Sequence, residues 1–133
     1  MKRALLLLCL ALVGCATTGD RVPLRPLPED APPLPYAELL TRARAQAGAA
    51  NEAFYVDRWD DLQDAARGLE QTARFLPKAI EVPANQKDKL SAVAGDLAKE
   101  ATVLREAAKV KDVKKATDSL QRVHFAVRSL KPE

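Results

Sequence analysis

Apolar residues in the C-terminal part of the chain recur at helical spacing. Trp59, Leu62, Ala66, Leu69, Ala73 and Leu76 follow one another at alternating steps of three and four residues, the seam of an amphipathic helix packed against neighbours. Val113, Ala116, Leu120, Val123, Val127 and Leu130 repeat the same spacing, and Leu90, Val93, Leu97, Ala101, Leu104 and Ala108 mark a third stripe. Tyr36, Leu39, Leu40, Ala43, Ala47 and Ala50 form a shorter, alanine-rich first stripe. Pro77 ends the second helix, because proline lacks the amide proton and clashes with the preceding turn. Asp57 and Asp112 stand where helix caps are wanted, and Pro83 suits a first turn. Gly48-Ala49-Ala50-Asn51 weakens the end of the first helix and leaves Phe54 and Tyr55 in the connection that follows. Gly68 and Gly95 face outward in this register. Four amphipathic helices with short connections predict an all-α domain over 36–133, an antiparallel four-helix bundle of up-down topology.

The pattern differs ahead of Tyr36. Met1-Lys2-Arg3 is cationic, residues 4–13 are an unbroken apolar run and Gly14-Cys15 follows, the order of a secretory signal peptide. The run is too short to cross a bilayer, which takes about 20 apolar residues. Leu12-Val13-Gly14-Cys15 resembles the bacterial lipobox. The resemblance implies that lipoprotein signal peptidase recognises Leu12, Val13 and Gly14, removes 1–14 and leaves Cys15 as an acylated first residue, with palmitate-like chains holding the protein to the membrane. Two or more chains give stable residence where one is marginal. Ala16 stands where many inner-membrane lipoproteins carry Asp, which points by the same resemblance to the outer membrane, facing the periplasm. Cys9 leaves with the signal, so Cys15 has no disulfide partner in its own chain.

Between anchor and bundle, residues 16–35 hold Pro23, Pro26, Pro28, Pro32, Pro33 and Pro35. Repeated prolines favour polyproline II, so this stretch predicts an extended spacer reaching up to about 60 Å. Pro23-Leu24-Arg25-Pro26 also has the spacing that aromatic grooves recognise. The chain thus divides into a signal peptide (1–14), a lipidated cysteine with a proline-rich linker (15–35) and a helical domain (36–133).

Composition supports one small helical domain: of 133 residues, 47% are hydrophobic and only 5% aromatic, which argues against an all-β sandwich. The formal net charge of +3 invites a nucleic-acid partner, but loss of Lys2 and Arg3 leaves 19 basic side chains against 18 acidic ones. Secretion disfavours nucleic acid further. What remains is a separation: Glu52, Asp57, Asp60, Asp61 and Asp64 outnumber Arg58 over 51–64, whereas lysines and arginines dominate 105–133. Lys114 and Lys115 sit in a first helical turn, where the helix dipole disfavours them.

Candidate chemistry is sparse. Leu120-Gln121-Arg122-Val123-His124-Phe125-Ala126-Val127-Arg128 resembles the last helix of cytochrome c prime, in which C-x-x-C-H is followed by a basic residue. The resemblance implies a bundle fold in which His124 would be an axial haem ligand and Arg128 its basic companion. Leu120 and Val123 replace both haem-attaching cysteines, so haem is an alternative to no cofactor, and His124 otherwise flanks the core as a structural histidine. One histidine supplies no common zinc set. Asp57, Asp60, Asp61 and Asp64 fall on the solvent side, where a hard cation would lack converging oxygens. Ser91, Ser119 and Ser129 lie in helices without a base beside them, and no phosphate-binding or dinucleotide motif is present. Phe125 faces outward, as a partner surface or beneath a covering connection. The sequence therefore predicts a non-enzymatic, lipid-anchored envelope bundle that acts on an envelope protein or cell-wall partner. A haem or small-ligand binding bundle and a periplasmic stress or chaperone-like bundle are the alternatives.

Overall fold

The computed structural model describes residues 24–132. Over these residues the chain forms four helices, α1 (Tyr36–Tyr55), α2 (Trp59–Phe75), α3 (Ala84–Lys109) and α4 (Val113–Ser129), with a 3-10 turn at Leu76–Lys78. Each helix packs on the next, and α4 returns to α1, so the four surround one core. There are no strands among the described residues, and the four-helix bundle expected from the spacing is what forms. No helix among them is long and apolar enough to cross a membrane.

The seams that define the helices are the residues that disappear from water. Leu39, Leu62, Leu69, Leu97, Leu104 and Val123 are fully enclosed, and alanines such as Ala43, Ala66, Ala101 and Ala116 let the helices approach closely. Pro77 stops α2, as its missing donor requires, and the chain turns through Leu76–Lys78. Asp112 caps α4, its carboxylate accepting the Lys115 amide at 2.9 Å.

Several boundaries differ from the sequence-based expectation. α1 runs past Gly48–Asn51 to Tyr55, because Ala50 and Ala53 are buried and tertiary contact overrides weak local propensity. Phe54 and Tyr55 therefore belong to its last turn, and Phe54 meets Trp59 edge to face with ring centroids 5.9 Å apart. Asp57 is no cap: it takes φ 55°, and Arg58 precedes α2 without a side-chain cap. Pro83 lies one residue before α3. Val113, placed in the core by its spacing, is 58% exposed because α4 has only begun there. Gly68 does not look outward; it lies against Gln46 of α1.

Gln46 belongs to a small set of buried polar groups that tie the helices. The Thr72 hydroxyl donates to Gln46 Oε1 at 2.8 Å, joining α1 to α2. Beyond the C-terminal end of α2, the Tyr36 hydroxyl donates to the Lys131 carbonyl at 2.9 Å, and the Lys131 amide donates to buried Gln86 Oε1 at 3.3 Å. The start of α1, the start of α3 and the end of α4 thus meet. Burial pushes the Tyr36 phenol above its ordinary value, against a smaller opposing effect of the Arg44 charge.

The proline-rich segment over 24–35 forms no helix, but it is not the extended free spacer expected: it turns at Glu29 and Asp30, where the Ala31 amide donates to the Pro28 carbonyl at 3.0 Å. Leu27, Ala31 and Leu34 pack on the core. The Leu27 amide donates to Gln71 Oε1 at 2.9 Å and its carbonyl accepts from Gln71 Nε2. Arg42 holds the Arg25 carbonyl at 3.2 Å, and Leu34 and Tyr36 exchange backbone hydrogen bonds with Ile80. The segment is a strap laid on α1 and α2.

Candidate functional site

On α4, Leu120, Val123 and Val127 turn into the core, which leaves His124 half buried at the flank and Phe125 outward. No connection covers Phe125, which is 75% exposed. Residues three, four or seven apart on one helix share a face. Val93, Asp96, Lys99 and Glu100 of α3 are spaced this way, and so are Arg122, Phe125, Ala126 and Ser129 of α4. Together these eight side chains line a groove of about 250 Å³ between the two helices. Its apolar part is Val93, Ala126 and the Phe125 ring, and charges of both signs surround them.

Arg122 Nη1 stands 3.6 Å from Glu100 Oε2. That distance suits an ion pair but exceeds a good hydrogen bond. Glu100 Oε2 is closed off from water and accepts no hydrogen bond, an expensive state for a carboxylate oxygen. Farther along α3, Arg105 pairs with Glu70 of α2 and with Glu106, each at 3.0 Å. The hydrogen bond that Arg105 donates to Glu70, and then the charge of Glu70, hold the Arg105 guanidinium above its ordinary value.

Ser129 donates its hydroxyl to the Phe125 carbonyl at 3.0 Å, and Ser119 is buried with no partner for its oxygen; neither hydroxyl meets a base. Leu120 and Val123 fill with apolar contact the positions where the cytochrome c prime resemblance would put cysteines. His124 makes no hydrogen bond with a described residue, and Arg128 is exposed. The structure does not bring the two together on any shared contact. Among the described residues, no three His, Cys, Asp or Glu side chains gather as a metal site. Asp61 and Asp64 instead pair with Arg58 at 3.2 Å and Arg67 at 3.1 Å. Leu12, Val13, Gly14 and Cys15 lie outside the described residues.

Sequence reasoning missed the buried polar trio Gln46, Thr72 and Gln86, although a signal was present. Gln46 stands three residues after Ala43, Thr72 three after Leu69 and Gln86 four before Leu90, so each occupies a position of the apolar stripe. The unmet acceptor at Glu100 had no sequence signal. No protein-family model, no curated protein and no solved structure matches the chain.

Proposed function

We propose that this chain is a lipid-anchored, non-enzymatic protein of the bacterial envelope, an up-down antiparallel bundle that acts by contact with an envelope protein or cell-wall polymer. The Leu12-Val13-Gly14-Cys15 pattern carries the anchoring part, following a cationic start and a short apolar run in the order of an exported lipoprotein. Acyl chains on Cys15 would place the bundle in the periplasm, at the outer membrane by the Ala16 pattern. The up-down sense is supported by the three-residue connections at 56–58 and 110–112 and by the meeting of Tyr36, Gln86 and Lys131 at one end.

The contact itself is best supported by the α3–α4 groove. An outward phenylalanine beside a part-apolar groove, next to a shielded carboxylate and an arginine, suits a partner that offers an apolar group and a hydrogen-bond donor together. The experiment has two arms. Full-length protein should gain lipid mass and partition with membranes, and Cys15→Ser should lose both; a Cys15→Ser protein that stays on the membrane overturns the anchor. A photo-crosslinking residue at Phe125 should capture one dominant envelope species in cells, and Arg122→Glu should weaken that capture. Equal capture from a residue placed at exposed Gly95 would refute a specific groove.

A further inference from the structure

We propose that the end of the bundle formed by the α1–α2 and α3–α4 connections is a docking face for a second copy of this chain. The two connections have one shape. In each, a valine follows the last helical residue, the next residue takes a positive φ, 55° at Asp57 and 54° at Lys111, and the residue after it, Arg58 or Asp112, immediately precedes the following helix. The amides of Asp57 and Arg58 return to Phe54 and Ala53, and those of Lys111 and Asp112 return to Ala108 and Ala107. This is the Schellman ending, whose left-handed position normally belongs to glycine. The chain therefore forgoes the easier residue at both turns and keeps an acid on one and a base on the other.

Neither charge is paired among the described residues. Asp57, Asp60, Lys109, Lys111 and Lys115 form no ion pair with any described residue. The two connections are neighbours, since Lys111 borders the same surface depression of about 270 Å³ as Asp57, Trp59 and Asp60. Beside these charges the large apolar side chains stand in water: Tyr55 is 76% exposed and Val110 71%, and Val56 and Val113 are exposed as well. Of the exposed large hydrophobics among the described residues, most lie on these two connections.

The pattern of charge selects the occupant. An anionic membrane or a nucleic acid would be attracted by the lysines and repelled by Asp57 and Asp60. A second copy turned by a two-fold axis sets each acidic turn against the other's basic turn, and the apolar residues meet between them; an isologous contact of this kind is self-complementary.

Full-length protein in detergent micelles, followed by sedimentation equilibrium, tests the proposal. We expect a reversible dimer that high salt weakens. Lys111→Asp and Asp57→Lys should each weaken association about tenfold or more, while the double charge exchange Asp57→Lys with Lys111→Asp restores it. Val113→Ser should weaken association without altering charge, and circular dichroism of every variant confirms the fold. A chain that stays monomeric, single reversals without effect, or a double exchange as weak as either single overturns the proposal. So does binding of the monomer to phosphatidylglycerol vesicles through Lys111, which would assign the face to a lipid surface.

Discussion

The contact between Gly68 and Gln46 allows a quantitative test of how the first two helices are joined. In an exposed helix, Gly→Ala gains about 1 kcal/mol. At position 68 an added Cβ would lie 2.8 Å from Gln46 Nε2 and 3.2 Å from its Cδ, closer than van der Waals contact allows. The amide cannot simply swing aside, because its Oε1 accepts the Thr72 hydroxyl at 2.8 Å and both residues are buried. Moving it breaks that hydrogen bond and leaves the buried Thr72 hydroxyl unpaired, which together cost about 2 kcal/mol. Gly68→Ala should therefore destabilise the protein by about 1 kcal/mol. With Gln46→Ala and Thr72→Val already in place, the methyl enters vacated space and the same change should stabilise by about 1 kcal/mol. The resulting coupling of about 2 kcal/mol is well above the scatter of about 0.5 kcal/mol between independent sites. Urea unfolding followed by circular dichroism in a mutant cycle measures it. If Gly68→Ala has the same effect in both backgrounds, the glycine is not there to admit Gln46.

Other consequences can be measured by the same means. Tyr36→Phe should cost about 1 kcal/mol near neutral pH through loss of the bond to Lys131. Because burial raises the folded-state value of this phenol above 10.0, its stabilisation is complete below pH 10 and is lost as pH rises through the folded value. A stability curve of Tyr36→Phe that falls as steeply in alkali as that of the parent would refute this. Lys111→Gly should raise stability by about 1 kcal/mol by relieving the left-handed backbone, read as a higher melting temperature, while weakening self-association; a lower melting temperature would show that the turn is unstrained. Leu97→Ala, at a fully enclosed position, should lower stability by about 2–5 kcal/mol, and a loss under 1 kcal/mol would mean that the alanine-rich core collapses around the gap.

Much of this architecture can be read from the residues alone. Leu62, Ala66, Leu69 and Ala73 announce α2 by spacing, Pro77 announces its end, and Asp112 announces the start of α4, because each of these effects acts over one or two helical turns. The departures arise where distant parts of the chain decide. Burial of Ala53 carries α1 through Asn51, and the left-handed turn at Asp57 takes the place of a cap. The strap is invisible to local reasoning because its partners, Gln71 and Ile80, stand about 45 residues away. The site was legible only in part. Phe125 stood out as an outward aromatic, but the groove beneath it needs α3 alongside, and the shielding of Glu100 Oε2 depends on the register between the two helices.

The strap also fixes a distance. With the chain bound down from Arg25 onward, only residues 16–24 separate the proposed lipid attachment from the folded body, and nine residues cannot exceed about 30 Å even when fully stretched. A loose leash over the whole proline-rich stretch would have let the bundle range about twice as far. A chain anchored at Cys15 would thus be confined to a thin layer against its own leaflet, and the envelope structures it could meet would be those that come within that layer.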